Sequence, residues 1–176
     1  MYAITLHLGL VFISLFFLFR KDIKTTSSDL GIPFDIMKLA KYIVIGLAVI
    51  FIVSIIISQL MMHFGLWDQS KVRERIVDMP WYMLVLAVTI VPISEELFFR
   101  GLLVNKIGII PAGILFSIAH FTYGSWAEIS VTLFIGLWFG YLYKKSKSIL
   151  PTMAIHFIYN LLSISIIILA TRAGLL

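Results

Sequence analysis

The chain has 176 residues, of which 61% are hydrophobic and only 13% are charged, and its mean hydropathy is +1.05. Soluble domains are typically about half apolar and about a quarter charged, so this composition excludes an ordinary soluble domain and predicts one integral membrane domain over residues 1–176. The absence of cysteine excludes disulfides, thiolate metal ligands and a cysteine nucleophile. The net charge of +5 comes from basic residues between apolar segments, which favours contact with anionic lipid over nucleic acid.

The hydrophobic segments predict an all-α, polytopic bundle of about six transmembrane helices, since a helix needs roughly 20 apolar residues to cross the hydrocarbon core. The first apolar run lacks a basic n-region and a small-residue cleavage site, and Arg20 and Lys21 follow it directly. We therefore expect a retained span and no signal peptide there. The predicted spans are about 2–19, 42–63, 80–104, 107–124, 126–143 and 149–171.

Prolines mark the starts and one irregularity of these spans. Pro80, Pro111 and Pro151 fall in the opening turns of the third, fourth and sixth spans, where no amide partner is lost. Pro92 lies inside the third span and is expected to free a backbone carbonyl and bend the helix. The connection 67–79 has apolar residues at helical spacing and fits either a short interfacial helix or an ordinary charged loop.

The distribution of lysine and arginine predicts the orientation in the membrane. Nine of these residues fall in the connections after spans one, three and five, and four fall on the opposite side. By the positive-inside rule, the first set is cytoplasmic and both termini are outside.

Two carboxylates and a guanidinium stand inside the third span, in the segment 95–100 (Glu-Glu-Leu-Phe-Phe-Arg). Ionised groups at membrane depth are costly, so they normally occur where a site needs them. Residues four apart share a helix face, which predicts a Glu96–Arg100 pair. Glu95 points about 100° away and lacks this partner, as a group that exchanges protons would. The alternative is that these residues only hold helices together, or that the span ends early at the interface.

Two histidines and an asparagine add polar groups to the later spans. His120 ends the apolar segment 116–120, where a histidine alone is more often a packing residue than a catalyst. His156 and Asn160 share one face of the sixth span and provide two adjacent donors, as an oxyanion site requires. Hydrogen bonding between helices is the alternative for this pair. Glu128, near the start of the fifth span, is expected at the membrane interface.

These residues predict hydrolysis by activated water. Glu95, helped by His120, would activate water to attack a peptide carbonyl, and His156 and Asn160 would stabilise the oxyanion. Zinc held by Glu95, His120 and His156 is a less favoured variant. The estimated depths of Glu95, His120, His156 and Asn160 agree within error, so one buried polar cavity is expected to hold all four.

Three motifs in order resemble one family: Glu-Glu-x-x-x-Arg at 95–100, Phe-x-x-x-His at 116–120 and His-x-x-x-Asn at 156–160. They resemble the CAAX protease and bacteriocin-processing (CPBP, or Abi) family of intramembrane endopeptidases over about residues 80–165. The resemblance implies a glutamate-dependent peptidase without a required metal, in which Glu96 and Arg100 hold the architecture. It also implies a peptide or lipidated-protein substrate reached from the cytoplasmic side of a prokaryotic cell membrane.

Two other functions remain open from the sequence. A membrane scaffold or bacteriocin self-immunity protein would use the same fold for binding without proteolysis. A proton-coupled transporter would use the carboxylates and histidines as a relay, but the six spans show no evident repeat. The sequence does not fix the oligomeric state.

Overall fold

The computed structural model describes residues 9, 10, 12–14, 16, 30–32, 35–68 and 70–175, with the side chains of residues 122 and 123 left out. Most of the predicted first span, 2–19, and most of the connection to the second lie outside these residues. Residues 9, 10, 12–14 and 16 are helical. The described chain contains helices and turns and no strand, so the predicted all-α membrane bundle is confirmed.

The fold is described with six helices in chain order. The third contains two α-helical pieces, a π-helical piece and a final short turn, and the fourth runs into a 3₁₀ turn, His120–Tyr123. The helices are α1 (Ile36–His63), α2 (Ser70–Val77), α3 (Trp81–Ile107), α4 (Ile109–Ala119), α5 (Trp126–Ser146) and α6 (Leu150–Arg172).

Four of these helices, α1, α3, α5 and α6, are long and apolar enough to cross a membrane. The predicted span 107–124 is shorter than expected, because α4 has 11 residues and a length of about 16 Å. Among the two possibilities for 67–79, the helix is confirmed: α2 buries Val72 and Ile76 on one face.

Helix α1 begins at Ile36, six residues before the predicted start at 42. Asp35 caps it by accepting a hydrogen bond from the backbone N–H of Lys38 at 2.8 Å. The hydropathy pattern missed this first turn because Lys38 and Lys41 interrupt it. At about 1.5 Å per residue, 28 residues span about 42 Å, so the basic turn can extend beyond the hydrocarbon core.

Helix α3 is irregular at the place that the sequence indicates. The first α-helical piece ends at Val88, four residues before Pro92. Because proline has no N–H, it leaves the carbonyl four residues earlier without its usual hydrogen-bond donor. Thr89 interrupts the helix there, and its hydroxyl donates to the Val85 carbonyl at 2.7 Å. From Glu96 to Leu103 the helix widens into π geometry, which is rare and frequently found at functional sites.

Helices α4 and α5 pack closely through glycine. A Cβ placed on Gly136 would lie 2.8 Å from the carbonyl oxygen and 3.0 Å from the Cα of Gly113, so the two backbones touch where both side chains are absent. Ser117 of α4 also donates from Oγ to the Ile129 carbonyl of α5 at 2.8 Å. Small residues and hydroxyl groups of this kind bring transmembrane helices together.

Polar contacts hold the two ends of the bundle. At one end, which we call the Lys144 end, Lys144 Nζ donates to Asn105 Oδ1 at 2.7 Å, and the Ile149 N–H donates to the Leu30 carbonyl at 2.9 Å. At the other, the Lys71 end, Lys71 Nζ donates to the Gly124 carbonyl at 2.8 Å. Helices α1, α3, α4, α5 and α6 therefore alternate in direction, as the short predicted connections require.

Between the two ends lies an apolar core formed by α1, α3, α4, α5 and α6. Its buried members are aromatic and branched side chains that surround the charged segment of α3. They are Ile50, Phe99, Phe116, Ile135, Phe139, Leu142 and Ile155.

Candidate active site

The predicted pair of Glu96 and Arg100 is present in the π-helical piece of α3. Arg100 Nη1 donates to Glu96 Oε1 at 2.9 Å, and both side chains are almost completely buried. Removing either partner would leave a single charge in an apolar interior, which is far more costly than burying the pair.

Aromatic rings surround the guanidinium of Arg100. Its Cζ lies 4.4 Å from the ring centroid of Phe116 and 4.9 Å from that of Phe139. The negative faces of aromatic rings attract a cation, and they do so more strongly where water is excluded. Phe116 on α4 and Phe139 on α5 therefore help to hold a charge that belongs to α3.

His156 of α6 lies between the two adjacent glutamates. Its Nδ1 is 2.9 Å from Glu96 Oε1, and its Nε2 is 3.8 Å from Glu95 Oε2. The helical wheel predicts separate faces for Glu95 and Glu96. In the structure the two carboxylates nevertheless approach the same imidazole, each at a different ring nitrogen. The sequence cannot show this arrangement, because it depends on the packing of α6 against α3.

Glu95 has the open position that its sequence context predicts. Its side chain is buried, with 6% of its surface exposed, and Oε2 has no hydrogen-bond partner among the described residues. A buried polar atom without a partner is unusual and calls for a functional explanation. Here it faces the Nε2 of His156 across a gap too long for a strong hydrogen bond.

His120 lies next to this group, at the end of α4. It begins the 3₁₀ turn after α4, and its Nδ1–H donates to the Phe116 carbonyl at 2.8 Å. The ring centroid of Phe116 is 4.7 Å from that of His120 and 6.1 Å from that of His156. Phe116 therefore contacts both histidines.

Asn160 lies one turn after His156 and faces α3. Its Nδ2 donates to the carbonyl of Ala87 at 3.0 Å, close to the interruption at Thr89. One of its two amide hydrogens is thus used to join α6 to α3. The described contacts bring Glu95 and His156 together, and the single cavity holding all four residues stays a prediction.

Glu128 lies near His120, a relationship that the sequence did not indicate. The predicted interfacial glutamate is half-buried in the first turn of α5, and its charge interacts with that of His120. It lies three positions after Ser125, which caps this helix. A carboxylate in the first turn of a helix is favourable, and this common pattern concealed its proximity to the histidine.

The zinc variant would require Glu95, His120 and His156 to converge on one ion. Within the part of the chain that the structure describes, no three histidine, cysteine, aspartate or glutamate side chains lie close enough together to hold an ion. Glu95, His120 and His156 therefore do not present the convergent ligand set of two histidines and one carboxylate that zinc would need.

One comparison with known proteins found a match to a family model. Residues 77–162 match the family model described as type II CAAX prenyl endopeptidase Rce1-like. The matched segment includes all three motifs, and it begins at the end of α2 and ends in α6. The chain has no match among curated proteins or solved structures.

The match agrees with the resemblance to the CPBP family and with a polytopic bundle whose charged residues lie inside the apolar core. It supports intramembrane protease activity of the CAAX type. Residues 77–162 of this integral membrane protein thus resemble the Rce1-like family of type II CAAX prenyl endopeptidases.

Proposed function

We propose that the protein is an intramembrane glutamate endopeptidase that hydrolyses a peptide bond in membrane-associated or lipidated peptides. The observation that carries this proposal is the buried, unpartnered Oε2 of Glu95 beside the Nε2 of His156. A carboxylate without a hydrogen bond can accept a proton from water, and the neighbouring imidazole can donate or receive one.

The charges of the group favour proton exchange at constant net charge. With Glu95 and Glu96 ionised and Arg100 and His156 protonated, the charges sum to zero. With the proton moved from His156 to Glu95, only Glu96 and Arg100 remain charged, and the sum is again zero. A proton can therefore shift between Glu95 and His156 without leaving a net charge in the membrane, which is costly.

In the proposed reaction, Glu95 removes a proton from a water molecule while the water oxygen bonds to the carbonyl carbon of the substrate. The tetrahedral oxyanion then collapses, the carbon–nitrogen bond breaks, and the proton passes from Glu95 to the leaving amine. Because acid–base catalysis by a placed side chain contributes about 10² to 10⁴ in rate, removal of the Glu95 carboxylate is expected to abolish most of the activity.

Glu96 and Arg100 would have a positioning role in this reaction. With the N–H of His156 at Nδ1 donating to Glu96, the Nε2 is held towards Glu95. A carboxylate that fixes the tautomer and orientation of an imidazole is a recurring feature of acid–base sites. Arg100 in turn supplies the positive charge that keeps Glu96 ionised beside the histidine.

His120 and Asn160 would complete the site when a substrate binds. The Nε2 of His120 and the second amide hydrogen of Asn160 are the groups proposed to contact the attacking water and the oxyanion. Catalytic hydrogen bonds are often long or incomplete without substrate and tighten in the reacting complex. Entry from the cytoplasmic face is proposed because nine of the basic residues fall in the connections that the positive-inside rule predicts to be cytoplasmic.

The test is cleavage of a prenylated CAAX peptide by the purified protein in lipid vesicles, followed by mass spectrometry. Wild-type protein is expected to release a product whose mass identifies a broken internal peptide bond. Glu95→Gln is expected to release almost none, and Glu74→Gln, which changes an exposed glutamate on α2, should behave as wild type. Equal cleavage by Glu95→Gln and wild type would disprove the proposal.

A further inference from the structure

Asp68, in the connection between α1 and α2, makes three hydrogen bonds to the start of α5. Its Oδ1 accepts from Ser125 Oγ at 2.7 Å and from the Ala127 N–H at 3.2 Å, and its Oδ2 accepts from the Trp126 N–H at 2.9 Å. These residues are 57 to 59 positions away in the sequence. Asp68 thus acts as a cap supplied to α5 from a distant part of the chain.

Lys71 extends the same contact to the preceding turn. Its Nζ donates to the Gly124 carbonyl at 2.8 Å and lies 3.5 Å from Asp68 Oδ2. Gly124 has φ of +70°, a left-handed conformation that glycine adopts readily, and it ends the 3₁₀ turn that His120 begins. We call Asp68 and Lys71 together the α5 latch, because they fix both sides of the junction between this turn and α5.

The junction controls the environment of His120 from two directions. The turn that carries His120 ends at Gly124, which Lys71 holds. Glu128, whose charge interacts with His120, lies in the first turn of α5, where its N–H donates to Ser125 Oγ at 3.1 Å. Asp68 holds that serine, so the latch sets the position of the histidine relative to its acidic neighbour.

We propose that Asp68 is a positioning residue for His120. It touches neither substrate nor reacting atoms and acts by fixing the turn 120–124 against the first turn of α5. The inference rests on the proposed function, because it assigns Asp68 to the step in which His120 contacts the attacking water. The hydrogen bonds of Asp68 lie at the Lys71 end, outside the buried charged group, and they would affect catalysis through His120.

The first experiment separates kcat from KM in vesicles with the prenylated CAAX peptide. Asp68→Ala is expected to lower kcat about tenfold to a hundredfold, as displacement of a catalytic group by about 1 Å does, with KM changed less than about twofold. Asp68→Asn, which keeps one acceptor oxygen, should retain more of the activity. The matched control is Asp35→Ala, which removes the aspartate cap of α1 and should leave both constants within about twofold.

A second experiment asks whether the effect passes through His120. In a His120→Ala background, Asp68→Ala is expected to lower the remaining kcat by less than about twofold, because the group that it positions is already gone. The same fold-loss in both backgrounds, or a change in KM alone, would overturn the proposal and indicate only a general structural role.

Hydrogen exchange provides a readout that does not require activity. Asp68→Ala is expected to speed amide exchange in residues 120–127 at least about tenfold and to leave α6 within about twofold of wild type. Unchanged exchange in 120–127 would overturn the proposal even if the enzyme assignment holds. If wild type fails to cleave, or Glu95→Gln cleaves normally, the proposed function fails instead, and the exchange result still decides whether Asp68 holds the turn.

Discussion

Oε1 of Glu96 lies 2.9 Å from the Nδ1 of His156 and accepts a hydrogen bond from Arg100 at the same distance. One oxygen atom thus joins the cation of α3 to the imidazole of α6. The position of His156 therefore depends on an ion pair that is itself buried, and this dependence gives the first prediction.

Arg100→Gln should destabilise the protein by about 3 to 5 kcal/mol, because Glu96 is left as an uncompensated buried charge. The control is Arg172→Gln at the exposed end of α6, which should change stability by less than about 0.5 kcal/mol. Unfolding in detergent with increasing denaturant measures both. The double variant Glu96→Gln/Arg100→Gln is expected to lose less stability than the sum of the losses of the two single variants.

Asn160→Ala should separate a structural role from a catalytic one. Loss of the hydrogen bond to the Ala87 carbonyl is expected to cost about 0.6 kcal/mol and at most about 1.7 kcal/mol. If Asn160 is also an oxyanion donor, its loss would in addition lower kcat by a factor of about 10² to 10³. The comparison is Asn105→Ala, which breaks polar contacts with Tyr143 and Lys144 at the Lys144 end and should leave kcat near wild type. Equal kcat for the two variants would remove Asn160 from the oxyanion site.

Gly136→Ala should weaken the contact between α4 and α5. Its new Cβ would meet the backbone of Gly113, which cannot move without separating the helices, so we expect a loss of about 1 to 3 kcal/mol. Gly46→Ala provides the comparison, since its Cβ would meet the end of the Ile155 side chain, which can rotate away. Thermal unfolding in detergent should rank Gly136→Ala below Gly46→Ala, and the reverse order would contradict the described packing.

Much of this fold follows from hydrophobicity alone. The ends of α5 and α6 lie within about three residues of the predicted boundaries, because long apolar runs with proline or a charged residue at each end admit few alternatives. The early start of α1 and the short α4 could not be obtained in this way. The start of α1 depends on the cap at Asp35. The end of α4 depends on a turn at His120, and no polar residue or proline directly before this turn marks it in the sequence.

The sequence indicated which residues form the candidate site, but it did not indicate most of the contacts between them. The Glu96–Arg100 pair follows from a spacing of four on one helix, whereas the position of His156 between Glu95 and Glu96 depends on the packing of α6 against α3. The predicted roles of Glu95, His120, His156 and Asn160 remain to be tested. Asp68 carried no signal in the sequence, because a lone aspartate in a charged connection resembles any exposed residue.

Asp68 also gives a prediction for pH dependence, since it lies outside the spans. Partial burial acts to raise its pKa, but hydrogen bonds from Ser125, Trp126 and Ala127 and the charge of Lys71 outweigh this and bring the pKa below the ordinary value of 3.8. A carboxylate with a lowered folded pKa stabilises the protein above the ordinary pKa, and this stabilisation is lost as pH falls through the folded pKa.

The stability difference between wild type and Asp68→Asn should therefore be constant from pH 5 to 7 and shrink below about pH 4. Thermal unfolding in detergent across this range measures it. Asp35→Asn, at the cap of α1, serves as the control for a general effect of losing one aspartate. A difference that grows as the pH falls would contradict the described hydrogen bonds of Asp68.

The most direct test of the central claim is the single-turnover cleavage rate of Glu95→Gln with a saturating prenylated CAAX peptide. Glutamine keeps the size of the side chain and removes its ability to take a proton from water. We predict a rate at least about 10² below wild type, with peptide binding unchanged within about threefold. A rate within about threefold of wild type would show that the buried carboxylate of Glu95 does not activate the water.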